Sequence, residues 1–270
     1  KEVRKMILIP MAGSGNRFAN AGYKMSKPMI PTTSLKTGTR VPMVVAATLD
    51  IPGAIDTKHK VIYVDRDFHK NAGIEGKIKE YIPNAQFITI NYLTEGQAVT
   101  CLLTKELINN DEELFIGACD SGMVIDIDAF EKAKKGADAL VITHTNDSNI
   151  EYNPNAHSWA KLQMDGKTIE KMSVKTPVSD NPMKDHATTG MFWFKRGKDF
   201  VKSVEKMINQ KNLIAGEYYI DQAISYAIDM SLRVQIFDVT YLCWGTPFDY
   251  ENYERTINYW KEFIKQEDWI

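Results

Sequence analysis

Short apolar runs rich in β-branched residues alternate with stretches of helical composition, and this alternation narrows the folds open to the chain more than any other feature. Met6-Ile7-Leu8-Ile9-Pro10-Met11, Lys60-Val61-Ile62-Tyr63-Val64, Gln86-Phe87-Ile88-Thr89-Ile90 and Glu113-Leu114-Phe115-Ile116-Gly117-Ala118 read as strands buried on both faces. Between them, residues 42–49, 68–81 and 96–108 have helical composition. Repeated βα units of this kind predict an α/β fold with a mixed, mainly parallel central sheet flanked by helices. In such a sheet, ligands bind at the carboxyl ends of the strands.

The second half changes character. Residues 158–164 alternate, Asp165-Gly166 supplies a turn and 167–174 alternate again, which predicts a β-hairpin and a smaller β-containing lid. A strand at 190–194, helices at 198–209 and 218–228, and a strand at 234–239 are expected next. A last helix is expected over 250–266, with Tyr253, Ile257, Trp260 and Ile264 at spacings of three or four. No repeat or linker is visible, so residues 1–270 are expected to form a single domain.

Charge decides between classes of partner. The 33 basic and 35 acidic side chains leave a net charge of −2, which argues against a broad basic face for nucleic acid. No window approaches the roughly 18 uninterrupted apolar residues of a membrane span, and no leader pattern is seen. The expectation is a soluble, cytoplasmic protein. Cys101, Cys119 and Cys243 are odd in number and far apart, which fits neither a disulfide framework nor a zinc spacing. They are expected to be reduced and mostly buried.

The first strand runs into Met11-Ala12-Gly13-Ser14-Gly15-Asn16-Arg17-Phe18, and Lys27-Pro28 follows. Glycines after a buried strand let the backbone approach a ligand, and successive N–H groups there can hold phosphate oxygens. A dinucleotide fingerprint would need glycine where Phe18 stands, and the Gly-Lys-Ser/Thr of a P-loop is absent. Such a turn is often merely structural. Arg17 and Lys27 add two cations beside it, which suits a polyphosphate.

This stretch resembles the N-terminal signature of the nucleotidyltransferases that make nucleotide-diphospho-sugars, in which a glycine-rich loop is followed by arginine and later by Lys-Pro. Thr94-Glu95-Gly96-Gln97-Ala98 is similar to the family's base-contacting loop, and Ala118-Cys119-Asp120 to its strand end carrying a metal-binding aspartate. Gly190-Met191-Phe192-Trp193-Phe194, Gly216-Glu217-Tyr218-Tyr219-Ile220-Asp221 and Trp244-Gly245-Thr246-Pro247 resemble later family blocks in the right order. The resemblance implies a Rossmann-like fold with a nucleotide-binding half (about 1–125) and an acceptor-binding half with the C-terminal helix (about 126–270). It implies transfer of a nucleoside monophosphate from an NTP to a small phosphorylated acceptor such as a sugar phosphate, with Mg²⁺ as cofactor and surface polysaccharide as a destination. By the family pattern, Ala12, Gly13, Gly15, Arg17, Gly96 and Gln97 bind the nucleotide, and Arg17, Lys27 and Asp120 are catalytic. Asp120 also holds the metal, and Lys175, Gly190 and Glu217 meet the acceptor.

Departures from the pattern keep alternatives open. Many relatives carry Asp-x-Gly-Thr near the last strand, whose aspartate is the second metal ligand; here Cys243 occupies it, in Cys243-Trp244-Gly245-Thr246. A thiol is a poor Mg²⁺ ligand. Asp249 or Asp221 could replace it, Asp120 and the phosphates could suffice, or the site could be damaged. Val174 stands where relatives carry glutamate before the lysine. A cytidylyltransferase acting on a non-sugar phosphate such as phosphocholine, and an inactive nucleotide-binding regulatory subunit, are the competing readings. Asp126 and Asp128 read as a helix start or solvated edge rather than a metal pair. His144, His157 and His186 lack metal-ligand spacing, with His186 close to the expected acceptor strand. Tyr218, Tyr219 and Tyr226 are most simply core, although Tyr218 could stack on a ligand, and Trp159 is open to the same two readings. Neither the base nor the oligomeric state follows from the sequence.

Overall fold

A computed structural model describes residues 4–267, with side chains through 265. Its strands, in chain order, are β1 (Lys5–Pro10), β2 (Pro31–Thr33), β3 (Arg40–Pro42), β4 (Lys60–Arg66), β5 (Ala85–Ile90), β6 (Glu113–Ile116) and β7 (Ser121–Val124). They continue as β8 (Ala139–His144), β9 (Ser158–Leu162), β10 (Ile169–Val174), β11 (His186–Phe194), β12 (Val234–Asp238) and β13 (Thr240–Cys243). Nine of them form one sheet. Its parallel core runs β6-β1-β4-β5, and β11 lies antiparallel against β6.

The four strands expected in the first half are these parallel ones. Their residues alternate between two cores, because successive side chains leave opposite faces of a sheet. Ile7, Ile9, Val61, Tyr63 and Phe115 face one core with the Met43–Leu49 helix. Met6, Leu8, Ile62, Val64, Leu114 and Ile116 face the other, with the Gly197–Asn209 and Ile220–Asp229 helices. A sheet covered on both faces is why these strands read as unbroken apolar runs rather than alternating ones.

The continuous helix expected over 68–81 is instead two, Asp67–Asn71 and Ile74–Lys79. Gly73 between them has φ +81°, a left-handed conformation that stops one helix and starts the next. Likewise 96–108 divides into Gln97–Leu102 and Lys105–Ile108. The strand expected over 113–118 ends at Ile116. A Cβ on Gly117 would lie 2.5–2.6 Å from Ile51 and Ile9, so the chain passes between two core side chains there. The hairpin forms as β9 and β10, joined around Asp165, whose carboxylate accepts from the Lys167 and Thr168 N–H groups.

β11 is longer than the expected 190–194 and joins the two halves. Its end, Phe192–Phe194, pairs with β6 on one edge and β8 on the other, whereas His186 and Ala187 pair with β9. The register slips between Thr188 and Phe192, around Gly190 at φ +79°. β7 and β13 form a separate antiparallel ribbon. The last helix, Pro247–Glu267, starts three residues earlier than expected, and Thr246 Oγ1 donates to Asp249 at 2.6 Å in its first turn. Burial falls off along it: Tyr250 is buried, Tyr253 and Ile257 half-buried, Trp260 and Ile264 exposed, although Lys261 Nζ still donates to Gly38 C=O at 3.2 Å. Asp126 caps the Ile127–Lys134 helix by accepting from Ala129 N–H, in line with the helix-start reading. No described helix is long and apolar enough to cross a membrane.

Candidate active site

The carboxyl ends of β1, β4 and β6, with the loops that follow them and β5, surround one cleft of about 650 Å³, a size suited to a small organic ligand. The glycine loop forms its floor. After Met11, whose N–H donates to Val64 C=O, the chain leaves the sheet and turns through Gly15 at φ +65° into the short Asn16–Asn20 helix. Phe18, where a dinucleotide fingerprint would carry glycine, is 1% exposed. Its ring packs edge-on against Tyr23 and Tyr250 and anchors the loop to the last helix. Arg17 stays exposed at the cleft, with no ion-pair partner among the described residues.

Lys27 begins a single 3₁₀ turn, Lys27–Met29, and its Nζ lies 2.6 Å from Asp120 Oδ2. Burial disfavours charge on both groups, but each is the other's counter-ion. Asp120 holds the ammonium above the usual lysine range, and Lys27 holds the carboxyl below the usual carboxylate range. The pair is therefore ionised at neutral pH.

Cys243 lies beside this pair. Register pairs Cys243 with Ser121, and Trp244 N–H donates to Asp120 C=O at 3.0 Å. A Cβ built on Gly245 would lie 3.6 Å from Asp120 Oδ2 and 3.8 Å from Cys243 Sγ. Burial pushes the thiols of Cys243 and Cys119 up to about 12, so both are protonated. Cys101, Cys119 and Cys243 are all free, the first buried and the others half-buried.

On the opposite wall, Gly96 has φ +119°, and a Cβ there would come within 2.7 Å of the Tyr218 backbone N and O. That contact is a clasp: Tyr218 N–H donates to Glu95 C=O, and Ala98 N–H to Tyr218 C=O. It brings Glu217 to the cleft beside Gly96 and Gln97. Thr94 Oγ1 and Thr100 Oγ1 are 2.5 Å apart and each lies within 3.2 Å of Gly96 C=O, so one hydroxyl donates to the other and the other to the carbonyl, which stiffens the loop.

Ala12, Gly13, Gly15, Arg17, Lys27, Gly96, Gln97, Asp120 and Glu217 thus all line the cleft. Lys175, Gly190, Asp221 and Asp249 do not. Lys175, at φ +63°, donates to Ala156 C=O and lies 5.6 Å over the Tyr219 ring. Gly190 sits in the β11 bulge. Asp221 is buried and accepts from Thr188 Oγ1 at 2.7 Å, and burial raises its pKa. Asp249 is held by Thr246. Tyr218 and Tyr226 are core residues, as is Trp159, whose indole N–H donates to Pro154 C=O. His186 bonds Asp238 at 2.9 Å.

Sequence reasoning missed Phe68 and His69 on the cleft wall. Both follow the end of β4, the position where a parallel sheet carries ligand contacts, and that was the available signal.

The sequence matches no protein-family model and no curated protein. Among solved structures, the chain is similar to the nucleoside-diphosphate-sugar pyrophosphorylase from Vibrio cholerae RC9, with a TM-score of 0.70 at 19% identity, covering 93% of this chain and 100% of that one. It is similar to a UDP-glucose pyrophosphorylase complexed with UDP-glucose, at TM-score 0.69 and 16% identity over 96% and 99% of the two chains. It is also similar to the inositol-1-phosphate CTP transferase from T. maritima, at TM-score 0.65 and 15% identity over 94% and 95%. The fold of this chain is the one these proteins share.

Proposed function

We propose that this chain transfers a nucleoside monophosphate from an NTP to a small phosphorylated acceptor, a sugar phosphate by preference, and releases pyrophosphate. The observation that carries the reading is the meeting, in one cleft, of the glycine loop, Arg17, the ionised Lys27–Asp120 pair and the Gly96–Gln97 loop. The glycine loop, Arg17 and Lys27 arrive from the segment after β1, Asp120 from the end of β6, and Gly96–Gln97 from the loop after β5. The named fold neighbours support the same chemistry.

Phosphoryl chemistry asks a protein for position and charge neutralisation rather than for a covalent nucleophile. Backbone N–H groups of the Gly13–Gly15 loop and the exposed Arg17 guanidinium hold the triphosphate. Lys27, kept charged by Asp120, exchanges that partner for phosphate oxygens when substrate enters. An acceptor phosphate oxygen then bonds to the α-phosphorus, the bond from α-phosphorus to the bridging oxygen breaks, and pyrophosphate leaves with that oxygen. Glu217, at the cleft, would meet the acceptor, whereas Lys175 and Gly190, expected to do so, lie outside the cleft lining.

The donors present fit Mg²⁺ only in part-protein form. Asp120 offers a carboxylate, Cys243 is a protonated thiol, and no group of three His, Cys, Asp or Glu side chains suited to a metal occurs among the described residues. Mg²⁺ commonly takes one or two carboxylates and completes its shell with phosphates and water. Asp120 with the nucleotide phosphates would hold it, and the ion would supply neutralisation of the phosphate charge. We further propose that the protein is cytoplasmic and, on the resemblance of its sequence motifs, that it supplies precursor for surface polysaccharide.

The thiol beside Asp120 favours a second reading, a nucleotide-binding regulatory subunit without turnover. A third keeps the chemistry and couples CTP to a non-sugar phosphate. Pyrophosphate release separates them across the common NTPs with Mg²⁺ and a panel of sugar phosphates and phospho-alcohols. One pairing is expected to release pyrophosphate, and its acceptor distinguishes the first reading from the third. Nucleotide binding with no release from any pairing would leave the regulatory reading standing.

A further inference from the structure

We propose that His69 reads the nucleobase, donating a hydrogen bond from Nε2–H to a carbonyl oxygen or ring nitrogen on the base edge turned towards β4. This rests on the nucleotide reading above and goes beyond it by naming a base-selecting residue.

Strand order gives the direction in which a nucleotide lies. β6, β1 and β4 are consecutive in the sheet, and neighbouring strands are about 4.8 Å apart. Asp120 follows β6, the glycine loop follows β1 and His69 follows β4. A ligand with its reacting phosphate at Asp120 and its triphosphate on the glycine loop therefore extends its far end over β4, roughly 10 Å away. The Thr94–Gln97 loop, following β5, closes the same end. Phe68 and Leu93, 41% and 60% exposed, give it an apolar rim.

The protonation state of His69 follows from one hydrogen bond. Arg66 backbone N–H donates to His69 Nδ1 at 3.3 Å, so Nδ1 is an acceptor and the proton of the neutral ring is on Nε2. Burial, aided by the Arg66 guanidinium, pushes the imidazole pKa down to about 4, which agrees with that bond. The side chain is 2% exposed, borders the cleft, and its Nε2–H has no partner among the described residues. A fixed donor left unpaired at a ligand-sized cleft discriminates between bases, because a base without a matching acceptor leaves it unsatisfied.

A purely structural role is the competing explanation, since the Arg66 bond also caps the Asp67–Asn71 helix. Two variants separate the roles. His69→Gln keeps an acceptor for Arg66 N–H and a donor beyond it, whereas His69→Glu keeps the acceptor and has no donor when ionised. Binding of the preferred NTP and of inorganic triphosphate is measured by calorimetry for both variants and the wild type. His69→Gln is expected to bind the NTP within about threefold of wild type, and His69→Glu about tenfold or more weakly, with triphosphate changed by less than about threefold in either. Equal NTP binding by the two variants, or equal losses for NTP and triphosphate, would overturn the proposal while leaving the nucleotide reading intact. A wild type that binds no NTP would sink both. The wild type provides a check that needs no folded variant: with ¹⁵N-labelled histidine, the His69 Nε2–H signal is expected to move on adding NTP and stay in place with triphosphate. The same movement with both ligands would contradict base contact.

Discussion

In the proposed reaction Lys27 and Asp120 act as a pair, and their contact is 2.6 Å long at the cleft. Neither would remain fully charged at that depth without the other. Asp120→Asn is expected to lower kcat by about 100-fold or more, because it removes the charge that balances Lys27 and the carboxylate proposed for Mg²⁺. Circular dichroism and the thermal midpoint would establish that the variant is folded. Near-normal turnover would remove Asp120 from the reacting centre. Both residues were singled out in the sequence, Asp120 as a carboxylate just past a buried strand and Lys27 in the Lys-Pro that follows the glycine loop. His69 was not, because its tautomer is set by a backbone N–H three residues away, and a lone histidine after a strand has no pattern. Asp221 and Asp249 were candidates for the second metal carboxylate that Cys243 displaces; both lie outside the cleft lining and are held by Thr188 and Thr246.

At the scale of elements, the clasp between Gly96 and Tyr218 joins the proposed base loop to the loop carrying Glu217. Gly96→Ala would place a methyl group 2.7 Å from two Tyr218 backbone atoms in a left-handed conformation that L residues rarely adopt. Stability is expected to fall by about 2 kcal/mol or more, combining strain and steric displacement, and NTP affinity should fall with it. Urea unfolding and calorimetry check this; unchanged stability and affinity would mean that the clasp yields at little cost. The parallel strands and the β9–β10 hairpin were visible in the sequence because periodicity reports burial. β8 was passed over. Its run Ala139-Leu140-Val141-Ile142-Thr143-His144 is short, and a short apolar run does not distinguish a buried strand from a buried helix. The break at Gly73 was missed because composition counts a single glycine as a weak helix former, whereas its φ decides the geometry.

Across the whole molecule, distant segments hold the cleft in shape. Tyr250 Oη and Tyr253 Oη donate to the backbone of Pro31 and Thr33, and Glu254 accepts from Thr33 N–H and Oγ1. The last helix thereby fixes the β2–β3 hairpin that follows Lys27. β11 pairs with β6 and then with β9, so one strand connects the sheet core to the hairpin of the second half. Such contacts span more than 200 residues in the case of the last helix, and a local pattern carries no trace of them. The near-neutral charge gave no sign of an anion site either, because the cations concentrate in Arg17 and Lys27 at one cleft. The central claim is that the bond made is to the α-phosphorus. Incubation with a phosphorylated acceptor and the preferred NTP, labelled with ³²P at the α position in one sample and at γ in another, tests it most directly. Label should pass to the acceptor from the α-labelled NTP and appear only in pyrophosphate from the γ-labelled one; transfer of γ-label to the acceptor, or its release as inorganic phosphate, would contradict the account.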